Sequence, residues 1–183
     1  MGVQRLLCMR YRAALLLKIF VEAVPPPANF VKLNSNAALA SSRSLVGVGL
    51  VLRDDNGRVV GSSGQCFGRS LPPLAAEGEA VLRGLKFALD VGVSSIVVES
   101  DASSLVDLIN GKIVASSKID LVMDEIQSLC SNFQNCSFIF GSRKVNWVAH
   151  NLAKFALSFV SDFFLVDDVP SLEESFVRDD RPE

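Results

Sequence analysis

Apolar residues recur at every second position through Val46, Val48, Leu50 and Leu52; Asp54-Asp55-Asn56-Gly57 comes next, and Val59-Val60 resumes the apolar run. A period of two belongs to a half-buried strand, and a turn-forming tetrapeptide ending in glycine reverses the chain, so this stretch predicts a β-hairpin. Phe30 to Ala38 is a further extended segment ahead of it. The chain therefore opens as a three-stranded meander, and the later elements have to pack on that sheet.

After Leu71-Pro72-Pro73 the period becomes helical: Val81, Leu82, Leu85, Ala88 and Leu89 form one apolar stripe, and Gly92 ends the helix. Ile96-Val97-Val98 is a short continuous apolar run suited to a strand buried on both faces. Further helices are expected at Ser103 to Ile109, Ile119 to Phe133 and Asn146 to Val160, with a strand at Ser137 to Phe140 between the last two. The order β-β-β-α-β-α-α-β-α predicts an α/β fold, a mixed five-stranded sheet with helices on its faces. The strand near Phe30 to Ala38 is expected beside Ile96 to Ser100. Gly47-Val48-Gly49, inside a strand pattern, reads as a bulge or a close backbone approach.

Length and charge set the organisation. At 183 residues, 49% apolar and 21% charged, the chain is about one folded domain, which excludes wholesale disorder. The formal charge of −2 excludes the strongly basic surface of a histone-like or ribosomal-type binder. Residues 1–24 carry four basic side chains and one acidic, 25–161 carry twelve and eleven, and 162–183 carry two and eight. The expected division is a basic arm at 1–24, a domain at 25–170 opened by Pro25-Pro26-Pro27, and an acidic tail at 171–183. Cys8, Cys66, Cys130 and Cys136 form no CxxC pair, and His150 is the sole histidine, so no zinc spacing exists. Four reduced thiols in an intracellular protein are expected, with nucleus or cytoplasm favoured. The basic arm reads either as an organellar transit peptide or as a basic helix. Its longest apolar run, Ala13 to Leu17, is too short to span a membrane.

Two carboxylates break the apolar pattern. Glu77 lies four residues before Val81 and eight before Leu85, on the helix stripe that faces the sheet, whereas Glu79 can pair with Arg83 on the other face. An inward acid costs several kcal/mol unless a cation, a metal or hydrogen-bond donors meet it. The alternative is a first-turn acid favoured by the helix dipole. Asp101 ends the strand Ile96 to Ser100 and starts a helix. That is the edge where α/β sheets bind ligands, although capping of the helix by Asp101 or Ser100 is the simpler explanation of the residue taken alone. His150 sits one turn after Asn146, as a ligand or as a hydrogen-bonded structural residue.

The blocks FVKLNSNAAL, GVGLVLRDDNGRVVG, AAEGEAVLRGLKFAL, IVVESDASSLVDLING and SRKVNWVAHNLAKFAL, in this order, resemble the plant ribonuclease H-type domain of the reverse-transcriptase-like, retroelement-related family. The resemblance implies a ribonuclease H-like fold over about 25–170. It also implies a site of four acids holding two Mg²⁺ ions, with Mn²⁺ as a possible substitute, to cut the RNA strand of an RNA–DNA hybrid. Glu77 matches the helix glutamate and Asp101 the strand-end aspartate. The first-strand acid of the K-x-N-x-D motif is Asn36 here, and the last-helix acid is His150. Asn36, Glu77, Asp101 and His150 are thus the implied catalytic and metal-ligand positions, with two of four charges kept. Arg143 and Lys144 are candidate phosphate contacts or plain surface cations. The implied function is a ribonuclease H-type enzyme impaired at Asn36 and His150, or a remnant nucleic-acid-binding module, expected to be a monomer.

Overall fold

The computed structural model describes residues 24–113, 119–159 and 162–166. The elements run β1 (Val31–Ala40), a short 3₁₀ turn (Ser41–Arg43), β2 (Leu45–Arg53), β3 (Val59–Gly68), α1 (Pro73–Asp90) and β4 (Ser95–Ser100). Then come α2 (Ser103–Ile109), α3 (Asp120–Cys130), β5 (Asn135–Phe140), α4 (Trp147–Phe159) and β6 (Phe163–Val166). The acidic tail at 171–183, Cys8 and all of the basic arm except Val24 lie outside the described residues. Among the described residues no helix is long and apolar enough to cross a membrane.

The meander forms as its turn chemistry dictates. Asp54 accepts the backbone N–H groups of Asn56 and Arg58 on Oδ1 at 2.9 and 2.8 Å, and Gly57 takes φ +77°, which a side chain would resist. The sheet order is β5-β4-β1-β2-β3-β6. β1 runs antiparallel to β2 and parallel to β4, pairing Val31 with Ile96 through Asn34 with Glu99. The expected neighbourhood of these two strands is therefore present.

Six strands occur where five were expected. Phe163–Val166 lies inside the expected 25–170 domain, beyond the last helix read from the sequence, and pairs with Gly61 to Gly64 of β3. Gly64 makes room for it, since a Cβ there would collide with the Phe163 ring.

Alternation along β1 and β2 divides the sheet into two faces. Leu33, Val46, Val48, Leu50 and Leu52 face α1, where Val81, Leu85 and Ala88 meet them, and Ile96, Leu105 and Ile126 complete this core. Each large aliphatic side chain buried there contributes about 1.5–3 kcal/mol relative to exposure. On the opposite face Val51 packs with Val148 and Leu152 of α4. Helix α4 can come this close because Gly47 and Gly49 present no side chains: a Cβ on either would collide with the carbonyl oxygen of Ala153 or Ala149. The two glycines thus mark a close backbone approach, while the irregularity in the β2–β3 pairing falls at Leu52/Arg53.

Gly49→Ala should therefore cost about 1–3 kcal/mol of unfolding free energy in urea titration, because helix backbone must move to admit the methyl group. Gly68→Ala, with open space around its Cβ position, should change little. Equal stability of both variants would show that α4 does not rest on Gly49.

Candidate functional site

The register of the sheet assembles the site. Asn36 of β1 pairs with Gly49 of β2, and Gly49 lies beneath Ala149 of α4. The next helix residue, His150, consequently reaches Asn36: its Nδ1 lies 3.0 Å from Asn36 Oδ1. Asn146, in the turn just ahead of α4 and four residues before His150, donates from Nδ2 to Ser35 O at 2.9 Å and to Asp101 Oδ1 at 2.7 Å. Asn36 Nδ2 donates to that same Asp101 oxygen at 2.7 Å.

These contacts fix how the amides are turned. Both partners of Asn146 Nδ2 are acceptors, so its N–H₂ must face them. Asn36 turns its N–H₂ to the Asp101 carboxylate, which leaves its Oδ1 to accept from His150 Nδ1–H. Burial, followed by the Lys154 charge, lowers the His150 pKa against the pull of Asp101, with Arg143 adding to the lowering. A neutral ring carrying its proton on Nδ1 fits both observations. The chain Asn146–Asp101–Asn36–His150 is a continuous hydrogen-bonded clamp.

Glu77 approaches from the other layer. Pairing of β4 with β1 stops at Asn34 and Glu99, which leaves the β1 edge beyond it open. The Ala37 N–H on that edge donates to Glu77 Oε2 at 3.1 Å. The inward placement read from the helix stripe is thus present, and a backbone donor meets the acid. One N–H does not offset the desolvation: burial first, then the Asp101 charge, push the Glu77 carboxyl up to about 8, with the Ala37 bond opposing. At neutral pH the group holds its proton most of the time.

The structure brings Asn36, Glu77, Asp101 and His150 together. Of the two cations, Arg143 is 94% exposed with its Nε 3.8 Å from Asp101 Oδ2, a contact of small energy, and Lys144 is exposed. Beneath the cleft lies a polar layer that the sequence pattern did not announce. Glu99 Oε2 sits 3.2 Å from Lys32 Nζ and accepts from Asn34 Nδ2 at 2.9 Å, while Arg53 Nη1 donates to Asn34 Oδ1 at 2.9 Å. All four side chains are buried. Lys32 also bonds to the Val24 carbonyl, tying the proline-rich lead-in to β1. The overlooked signal was Glu99 itself, an acid inside the apolar run, two residues before Asp101 and hence on its face.

Two divalent cations need a charged oxygen bridge between them. The first-strand position offers instead an amide whose N–H₂ points at the Asp101 carboxylate. Among the described residues no group of three or more His, Cys, Asp or Glu side chains gathers as a metal centre would. The residues present do not fit a two-cation site.

The model of the family described as reverse transcriptase-like matches residues 34–156. A candidate ribonuclease H protein of Arabidopsis thaliana is 29% identical over 161 residues, covering 86% of this chain. The chain spans 25% of that protein's length. Among solved structures, RNase H1 of the archaeon Halobacterium salinarum superposes with a TM-score of 0.68 at 24% identity, over 71% of this chain and 98% of its own. LC11-RNase H1, isolated from compost and solved with an RNA/DNA hybrid, gives 0.65 at 19% identity, over 71% and 98%. The fold is ribonuclease H-like.

Because the folded protein holds the Glu77 proton more tightly than the unfolded chain does, this group stabilises the fold fully below about pH 4.5 and loses that contribution as pH rises to about 8. Glu77→Gln, which keeps an acceptor for Ala37 N–H, should flatten this slope and leave the variant more stable than the parent by a few kcal/mol above pH 8. Thermal unfolding from pH 4 to 9 measures it; parallel curves for the two proteins would contradict the buried, protonated carboxyl.

Proposed function

The chain belongs to the reverse transcriptase-like family, and on that premise we propose that it is a ribonuclease H-type domain that engages RNA–DNA hybrids at the Asn36–Glu77–Asp101–His150 cleft and is impaired in hydrolysing the RNA strand. The observation that carries this reading is the Asn36 amide turned onto Asp101. Metal-assisted hydrolysis would call on the first-strand position for a charged carboxylate, and the Asn36 amide supplies neither charge nor a free oxygen. The cleft keeps its architecture. Two positions keep their acids.

Engagement of a hybrid is supported by the likeness to LC11-RNase H1, which was solved with one. A ribonuclease H-like surface reads duplex shape, 2′-hydroxyls and phosphates rather than base edges. With twelve basic against eleven acidic side chains in 25–161, binding should be modest and strongly salt-dependent. Exposed Arg143 and Lys144, at the entrance to α4 beside Asp101, are the phosphate contacts in this reading. A second reading, a binding module without any catalysis, is favoured by the two amides already bonded to Asp101 Oδ1.

Replacing Arg143 and Lys144 with Ala should weaken hybrid binding and lower the slope of log affinity against log salt by about 1 per removed contact. An unchanged slope would remove them from the interface.

Asn36→Asp restores the bridging charge with almost no change in shape. In Mg²⁺ or Mn²⁺ this variant should cut the RNA strand at least about 10- to 100-fold faster than the parent, since loss of even an outer partner of a metal site has effects of that size. Adding Glu77→Gln or Asp101→Asn should abolish the gain. A parent that already cuts as fast as Asn36→Asp would overturn the impairment. Hybrid binding without cleavage by either protein would establish the second reading, and no binding by either would remove hybrids as the ligand.

A further inference from the structure

Away from the cleft, α3 and β5 bring two thiols together. Cys130 is the last residue of α3 and Cys136 the second residue of β5. Their sulfurs are 2.9 Å apart, closer than unbonded sulfurs ordinarily approach, with the Cys136 S–H donating to Cys130 Sγ. The connection between them is well ordered by its own bonds: Ser131 N–H to Gln127 O, Phe133 N–H to Cys130 O and Gln134 N–H to Ser94 O, at 3.3, 3.1 and 2.8 Å. Phe133 is buried in the main core and Cys136 pairs with Ile96, so both arms of the turn are anchored. Neither thiol is sealed off; both are half-buried.

We propose that Cys130 and Cys136 form a redox site, a vicinal dithiol that closes reversibly to an intrachain disulfide by exchange with a small disulfide of the glutathione class. The Cys130 thiolate attacks one sulfur of the oxidised reagent, forming a mixed disulfide and expelling one thiolate. Cys136, on losing its proton, attacks the Cys130 sulfur and expels the second thiolate. The protein dithiol gives up two electrons and two protons, and the reagent becomes two thiols. Cys130 is the attacking group because the bond from Cys136 favours its thiolate, lowering its pKa against the effect of burial, while the same bond raises that of Cys136. Closing the bond moves the sulfurs together by about 0.9 Å. Cys66, on β3, is the contrast: burial and the neighbouring Asp162 push its thiol up, with Arg43 opposing.

The bond would staple the outermost strand β5 to the end of α3. It constrains the unfolded chain by a short loop and so stabilises the fold. The cleft residues lie on other elements, which makes stability, rather than hybrid engagement, the redox-dependent property.

The test equilibrates the whole protein in buffers of reduced and oxidised glutathione, traps free thiols with a maleimide, and reads intact and peptide masses. In the oxidised buffer the protein should lose two reactive thiols, yield a peptide joining Cys130 to Cys136, and melt at a higher temperature. Dithiothreitol should reverse all three. Cys136→Ser should instead accumulate one glutathione on Cys130. Retention of both reactive thiols at full oxidation, or accumulation of glutathione on Cys130 in the parent protein without ring closure, would overturn the proposal.

Discussion

At Gly47 and Gly49 the sheet carries no side chains, and the backbone of α4 lies against it closely enough that a methyl group on either glycine would strike a helix carbonyl. The position of every group that α4 brings to the cleft depends on that contact. Because Asn36 is the register partner of Gly49, the helix residue after Ala149 has to stand over Asn36, and Asn146, a turn earlier, has to stand over Ser35. A helix held a few ångströms farther off by ordinary side chains could not place both an imidazole and an amide within hydrogen-bond reach of the first strand.

The chemistry at the cleft is set by the sign of the charges brought there. Two carboxyl groups approach each other with little solvent, and opposing demands are met in two ways. Asp101 takes amide donors from Asn36 and Asn146, while Glu77 takes one backbone N–H and a proton. The amide of Asn36 supplies partial positive charge to Asp101. The polar layer of Lys32, Asn34, Arg53 and Glu99 below it links β1, β2 and β4, so the clamp rests on a floor of buried bonds.

Much of this was legible in the sequence because period and register carry it. The hairpin, the α1 stripe and the β4 run each announced themselves, and the offset of Glu77 from Val81 and Leu85 placed an acid inward. Gly47 and Gly49 left two options, a bulge or a close approach, and only the placement of α4 decides between them. Strand β6 was hidden because four apolar residues lie among acids, and strand pairing depends on a partner edge about 100 residues away in the chain. Glu99 was hidden for the opposite reason: its apolar neighbours read as a uniformly apolar strand, and the buried Lys32 that balances it is distant in sequence. The amide orientations were not legible at all, since they arise from which acceptors surround Asn36 and Asn146 in space.

The amides of Asn36 and Asn146 bonded to Asp101 are the centre of the cleft, and calorimetric titration of Mg²⁺ into the unmodified protein tests their hold on it most directly. Weak, unsaturated heats are expected through the millimolar range, with Mn²⁺ binding better than Mg²⁺ because His150 offers a nitrogen donor. Tight, saturable binding of Mg²⁺ would contradict the amide clamp, since Asn36 would have to turn its oxygen away from His150 to the ion.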